Sequence, residues 1–163
     1  MPDGDDDALT HTTADGDAQM VDVGSKPDTA RRAVASGDLH LAESTIDAVR
    51  DDGIGKGNVL ATARVGAIQA VKHTWETIPM CHQIPITNVD TTFDVRDDRV
   101  VLEVAVETTG KTGCEMEALE GVTTGLNVVW DMVKAAEKDA DGQYPGTAIE
   151  NVGVDTKEKH HPE

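Results

Sequence analysis

Asp131 and Lys134 stand three residues apart, the spacing that places two side chains on one flank of a helix. An acid beside a lysine holds the ammonium charged and aimed, and such a lysine can exchange protons with a bound substrate. A pair of this kind is equally an ordinary solvated ion pair, so spacing alone leaves both readings open. By the 3.6-residue period the same flank holds Met116, Thr123, Asn127 and Trp130. Two large side chains on a nominally polar flank imply a covering body such as another subunit. A second group is Met80-Cys81-His82, between a predicted helix end and a strand start. His82 suits a phosphate contact or a proton carrier. Adjacent Cys and His rarely chelate one ion, and no second Cys/His cluster lies near, so no metal site is expected. Glu115, Glu117 and Glu120 crowd the first turns of a predicted helix, where carboxylates also simply complement the dipole. The turn before that helix, Thr109-Gly110-Lys111-Thr112-Gly113, could offer N–H groups to phosphate. It lacks the spacing of a P-loop and reads equally as a plain connection.

Cations are scarce: 14 Lys and Arg stand against 31 Asp and Glu, a net charge of −17 over 163 residues. Between positions 56 and 89 the balance reverses. Lys56, Arg64 and Lys72 face the single acid Glu76, with His73 and His82 nearby. Either these are plain surface charges on a helix or they form a positive cleft that attracts an anionic small molecule. The overall charge repels nucleic acid. No stretch nears the roughly 18 apolar residues of a membrane span, and the acidic start lacks the apolar core of a secretory signal. Cys81 and Cys114 form no C-x-x-C pair and read as reduced thiols of a cytoplasmic protein. A carboxylate-dense surface of this kind suits a folded, halophilic protein whose self-repulsion is screened by salt.

The elements that must position these residues follow from periodicity. Phe93, Tyr144, Trp75 and Trp130 are all the aromatics, so the core rests on Val, Ile, Leu, Ala and Met. Residues 1–17 hold six Asp and no Lys or Arg, an acidic flexible tail. Residues 18–156 form a single domain, and 157–163 a polar C-terminal tail. Alternation over 18–23 predicts a short strand. Residues 31–41 are strand or helix, with Gly37 weighing against helix. Residues 43–50 predict a short helix with Ser44 as a possible cap. Leu60, Ala63, Ala67, Val71 and Trp75 predict one long helix over 59–77. Alternation over 84–94 and 100–108 predicts a hairpin turning at 96–99. A second long helix spans 115–138, with Leu119, Val122, Leu126, Val129, Val133 and Ala136 as its stripe. A last strand covers 147–154. The order predicts an α+β fold, a ferredoxin-like antiparallel sheet with two long helices packed on one face.

Four segments together carry a resemblance. Lys56-Gly57-Asn58-Val59-Leu60-Ala61-Thr62-Ala63-Arg64, Ile78-Pro79-Met80-Cys81-His82, the run from Thr108 through Gly113-Cys114-Glu115-Met116-Glu117-Ala118-Leu119, and Trp130-Asp131-Met132-Val133-Lys134-Ala135 resemble the cyclic pyranopterin monophosphate synthase (MoaC) family of molybdenum cofactor biosynthesis. Met20-Val21-Asp22-Val23 and Thr29-Ala30-Arg31-Arg32-Ala33 fit its N-terminal region, so the likeness covers about residues 9–155. The resemblance implies a lyase that converts a cyclised dihydro-GTP derivative to cyclic pyranopterin monophosphate and releases diphosphate. It implies catalytic roles for Asp131, Lys134 and Lys56. It implies substrate contacts at Met80, Cys81, His82, Met116 and Glu117, with Glu115 beside them. It also implies no cofactor and a homohexamer, a trimer of dimers, with sites between subunits. Two departures stand out. A phosphate-facing lysine expected near Asn151 is missing, with Lys157 and Lys159 as nearby substitutes, and Asn58 stands where many relatives have Asp. The rival from another class is a nonenzymatic phosphate-ligand binding or regulatory module.

Overall fold

The computed structural model describes residues 13–160. Most of the expected acidic tail, residues 1–12, lies outside the described residues, as do 161–163. The elements are β1 (Thr29–His40), α1 (Glu43–Arg50), α2 (Val59–Lys72), α3 (Thr74–Thr77), β2 (Ile86–Val95), β3 (Arg99–Gly110), α4 (Glu115–Glu137) and β4 (Ala148–His160). The strands form one antiparallel sheet in the order β2-β3-β1-β4. Together with the β-α-β-β-α-β succession of the long elements, this is the predicted ferredoxin-like α+β arrangement. Among the described residues no helix is long and apolar enough to cross a membrane.

The ambiguous 31–41 run is a strand because its apolar side chains alternate. Ala33, Ala35 and Leu39 are buried toward the helices, opposite Val106, Val104 and Val100 of β3. Gly37 lies where α4 crosses the sheet. A Cβ there would stand 2.9 Å from Val122 and 2.8 Å from Val152, so the missing side chain is a packing requirement. Helix α4 covers β1 and β3 and packs along α2. Its stripe buries Val122, Leu126, Val129 and Val133, with Ala118 and Met132. Leu119 is only half-buried and Ala136 is exposed.

Several expected boundaries move, each for a local reason. No ladder forms over 18–23, where Ala18 alone makes a bridge. The Asp22 carboxylate accepts the Gly24 N–H at 2.8 Å, and a side-chain turn of this type diverts the backbone from pairing. The helix expected over 59–77 breaks at His73. The Thr74 hydroxyl donates to the carbonyls of Ala70 and Val71 at 2.9 and 3.2 Å, and such back-bonding bends helices. Trp75 thereby leaves the packed face and is 39% exposed. Ser44 does not cap α1. The residue before its first turn is Ala42, which has no side-chain cap of its own, and its N–H instead reaches both carboxylate oxygens of Glu137 at 3.2 Å. Residues 157–160, expected in a polar tail, continue β4, because β1 extends back to Thr29 and offers them an edge. Register shifts opposite Val34/Ala35 and Ser36/Asp38 and the left-handed Asn151 (φ 57°) take up the irregularity between these strands.

Candidate active site

Lys56 lies in the loop between α1 and α2. Two residues on, Asn58 ends that loop by capping α2, its Oδ1 accepting the Ala61 N–H at 2.9 Å. The cap needs only an acceptor oxygen, so Asn serves as well as Asp. Lys56 Nζ donates to the backbone carbonyl of Asp131 at 2.8 Å and stands 3.5 Å from Oδ2. Lys134 Nζ stands 2.8 Å from Oδ1 of the same carboxylate. One carboxylate is thus shared by two ammonium groups, and the trio carries a net positive charge. The Lys134 hydrogen bond and charge, then the charge of Lys56, hold Asp131 below the usual carboxylate range. The hydrogen bond to Asp131, with its charge, raises Lys134 above an ordinary lysine. At neutral pH the trio therefore offers an aimed proton donor and an attractive field for an anion.

The remaining candidates gather at the other end of α4. Glu117 is 5% exposed, and burial, with Glu115 adding repulsion, pushes its carboxyl up to about 7. Burial, then the charges of Glu117, Glu120 and Glu115, pushes the Cys81 thiol up, which favours the neutral thiol over the thiolate. Burial also pushes the Cys114 thiol up, to about 11. Glu115 is raised by burial, but the Lys157 hydrogen bond, a backbone N–H and the charges of Lys157 and Arg31 outweigh this and hold it low. Met116 is 40% exposed. His82 lines a cavity of about 240 Å³ with Val23, Asp28 and Lys111. Lys111 is held beside that cavity by its neighbours. It donates to the Lys26 carbonyl at 2.8 Å and pairs with Asp28 at 3.6 Å, tying the glycine-rich turn to the segment before β1.

The fifteen positions from Met116 to Asp131 separate these two groups by about 22 Å at 1.5 Å per residue. One protomer therefore brings Lys56 to Asp131 and Lys134. It keeps Met80, Cys81, His82, Glu115, Met116 and Glu117 apart from them. The local excess of positive charge over 56–89 is also dispersed along a helix. Arg64 donates to Thr91 at 2.9 Å and sits 5.7 Å over the Phe93 ring, while Lys72 lies at the far end of α2. On the Asp131 flank, Trp130 meets Tyr144 edge-on at 5.4 Å, so its own chain covers part of that surface. Lys157 reaches the first turn of α4, its Nζ 2.9 Å from Glu115 Oε1. Lys157 and Lys159 lie opposite Ala33 and Arg31 across the β4–β1 pairing, a register that no sequence pattern marks. Among the described residues no group of three or more His, Cys, Asp or Glu side chains is arranged for a metal ion.

The model of the MoaC family matches residues 20–160. The chain belongs to the MoaC family. It is 75% identical over 155 residues to a Natronomonas pharaonis protein named probable cyclic pyranopterin monophosphate synthase, spanning 95% of this chain and 97% of that one. A Methanosarcina mazei protein of the same name is 53% identical, over 90% of this chain and 93% of its own. A Methanothermobacter thermautotrophicus protein named probable cyclic pyranopterin monophosphate synthase accessory protein is 57% identical, over 93% and 94%. The match to the MoaC family runs through residue 160 and so takes in Lys157.

The raised Glu117 carboxyl has a measurable consequence. Native protein binds the proton more tightly than the unfolded chain, so stability falls as pH rises from about 4.5 to about 7 and then levels. Glu117→Gln removes this loss. Relative to the wild type it gains roughly 2 kcal/mol between pH 5 and pH 8, less than the full shift because water reaches the helix start. Thermal unfolding of both proteins at the two pH values, at fixed salt, measures the difference. An unchanged gap between them contradicts the burial of a protonated Glu117.

Proposed function

We propose that this MoaC-family chain is a lyase of molybdenum cofactor biosynthesis, a cyclic pyranopterin monophosphate synthase. Its substrate is (8S)-3′,8-cyclo-7,8-dihydroguanosine 5′-triphosphate, and its products are cyclic pyranopterin monophosphate and diphosphate. The observation that carries the reading is the trio in which Asp131 is shared by Lys56 and Lys134. Lys134, kept protonated and aimed by Asp131, moves protons during opening of the purine ring and closure of the pterin. Lys56 stabilises negative charge on the phosphates beside it. Met80, Cys81, His82, Glu115, Met116 and Glu117 contact the substrate from the other end of α4. Lys157 supplies there the cation that Asn151 does not.

No single nucleotide bridges the two ends of α4 within a protomer, so the site is completed between subunits of a homohexamer. The acidic surface suits a halophilic cytoplasm. The test is direct. The protein, at high salt, receives the cyclised nucleotide freshly made by the upstream radical enzyme, and pterin is read by fluorescence after oxidation together with diphosphate release. Stoichiometric growth of both supports the lyase. Binding of the nucleotide with neither product supports the nonenzymatic phosphate-ligand module instead.

A further inference from the structure

Glu137 ends α4, about one and two-thirds turns beyond Asp131. It is half-buried and binds two other elements at once. The Ala42 N–H reaches both of its oxygens at 3.2 Å, the Thr45 hydroxyl donates to Oε2, and the Thr147 hydroxyl donates to Oε1 at 2.8 Å. Thr45 and Thr147 are 1% and 7% exposed, so both hydroxyls depend on protein partners. Glu137 thus caps the start of α1, which has no cap of its own, and fastens the entry to β4.

The far end of α1 leads into the Lys56 loop. Asp52 N–H and Gly53 N–H bond back to the carbonyls of Val49 and Ala48 at 3.4 and 2.7 Å, so the loop leaves α1 in a defined direction. Gly57 N–H bonds to Ile54 O at 3.1 Å, and Ile54 packs on the core. Between this loop and α4 lies an open cleft of about 240 Å³, lined by Gly53, Ile54, Lys56, Met132, Val133 and Ala136. Apart from Ile54, this cleft leaves the loop without close packing along α4. The loop hangs from α1 at one end and from the Asn58-capped α2 at the other. The geometry points to Glu137 as a positioning residue for Lys56: by fixing the start of α1 to the same helix that carries Asp131 and Lys134, it sets the Lys56 ammonium against the Asp131 carboxylate. The inference rests on the reading of Lys56 as part of the active site.

The test uses the intact assembly at fixed salt. An amine-acetylating N-hydroxysuccinimide ester probes each lysine, and peptide mass spectrometry follows its rate. Lys72 and Lys159, both exposed, are internal references. In Glu137→Ala, Lys56 acetylates several-fold faster than in the wild type while the references hold, and kcat for the cyclised nucleotide falls about tenfold or more. Glu137→Gln keeps an acceptor for Ala42 and Thr45 and restores both readouts. Should Glu137→Ala fail to fold, the Thr45→Val, Thr147→Val double variant removes the two hydroxyl ties, leaves only the Ala42 N–H on the carboxylate, and shifts both readouts in the same direction. Unchanged Lys56 acetylation in a folded variant, or acceleration shared equally by all three lysines, overturns the positioning role. Faster Lys56 acetylation in Glu137→Ala, with Lys56→Ala turning over like the wild type, upholds the positioning role and removes Lys56 from the catalytic machinery.

Discussion

Lys134→Ala lowers turnover of the cyclised nucleotide by about 10²- to 10⁴-fold, the usual contribution of a positioned proton-transfer group, and leaves thermal unfolding essentially where it was. The two halves of this result have separate causes. The Lys134 side chain is 42% exposed and its ion pair is with Asp131, three residues back on the same helix. Removing it opens no cavity and orphans no buried group, so the fold has little to lose. The chemistry loses its aimed ammonium. Lys134→Arg is the sharper variant, because guanidinium keeps the charge and the pairing with Asp131 but does not release its proton. It therefore retains substrate binding and remains slow. Asp131→Asn lowers the Lys134 pKa toward that of an ordinary lysine by removing the charge that raises it and weakening the hydrogen bond to a neutral acceptor, so the basic limb of the pH–rate profile moves to lower pH. Initial rates across pH, with thermal melts of each variant, measure all of this. Near-normal turnover by Lys134→Ala refutes the assignment.

Gly125→Val destabilises the protein by about 3 kcal/mol, a fall in melting temperature of roughly 10 °C for a chain of this size. Of the two glycines of α4, Gly125 is the more tightly pressed by its neighbours. A Cβ there would clash with Leu102 of β3 and lie 3.2 Å from the Ala67 Cβ of α2. Leu102 and Ala67 are both 0% exposed, so neither has room to withdraw. Gly125→Ala meets the same obstruction with one methyl, partly offset by a gain of about 1 kcal/mol in helix propensity, and loses less. The functional consequence is larger than the stability alone suggests. Lys56 stands three residues before α2 begins, and Asp131 six residues after Gly125 on α4. A branched side chain that moves α2 away from α4 also draws Lys56 away from Asp131, so turnover falls even well below the melting temperature. Melts and initial rates of the wild type, Gly125→Ala and Gly125→Val measure the series. A Gly125→Val protein as stable as the wild type shows that the helices do not approach as closely as described.

The glycines also explain which parts of the fold were legible. Gly37 weighed against a helix over 31–41, yet its actual role, making room for Val122 and Val152, depends on α4 and β4. The 115–138 helix is plain because its stripe, from Leu119 to Ala136, repeats over nearly five turns. The break at His73 is not, since it turns on one hydroxyl, that of Thr74, choosing the carbonyls of Ala70 and Val71. The strand over 157–160 was missed because its residues are polar on both faces, so no alternation marks an edge strand held mainly by β1.

The site divides in the same way. That Asp131 and Lys134 share a flank could be read from their spacing, because the helical period is a local property. Residue types and composition likewise marked the two sets of candidates and the net charge against which any cation stands out. It takes the folded chain to show that Lys56, 75 positions before Asp131, closes on that carboxylate while His82 and Glu117 stay at the other end of the helix. That outcome depends on how closely α2 and α4 approach through Gly125, and on where Glu137 fastens α1. Such distances are set by packing between elements far apart in the chain, and no local pattern of residue types encodes them.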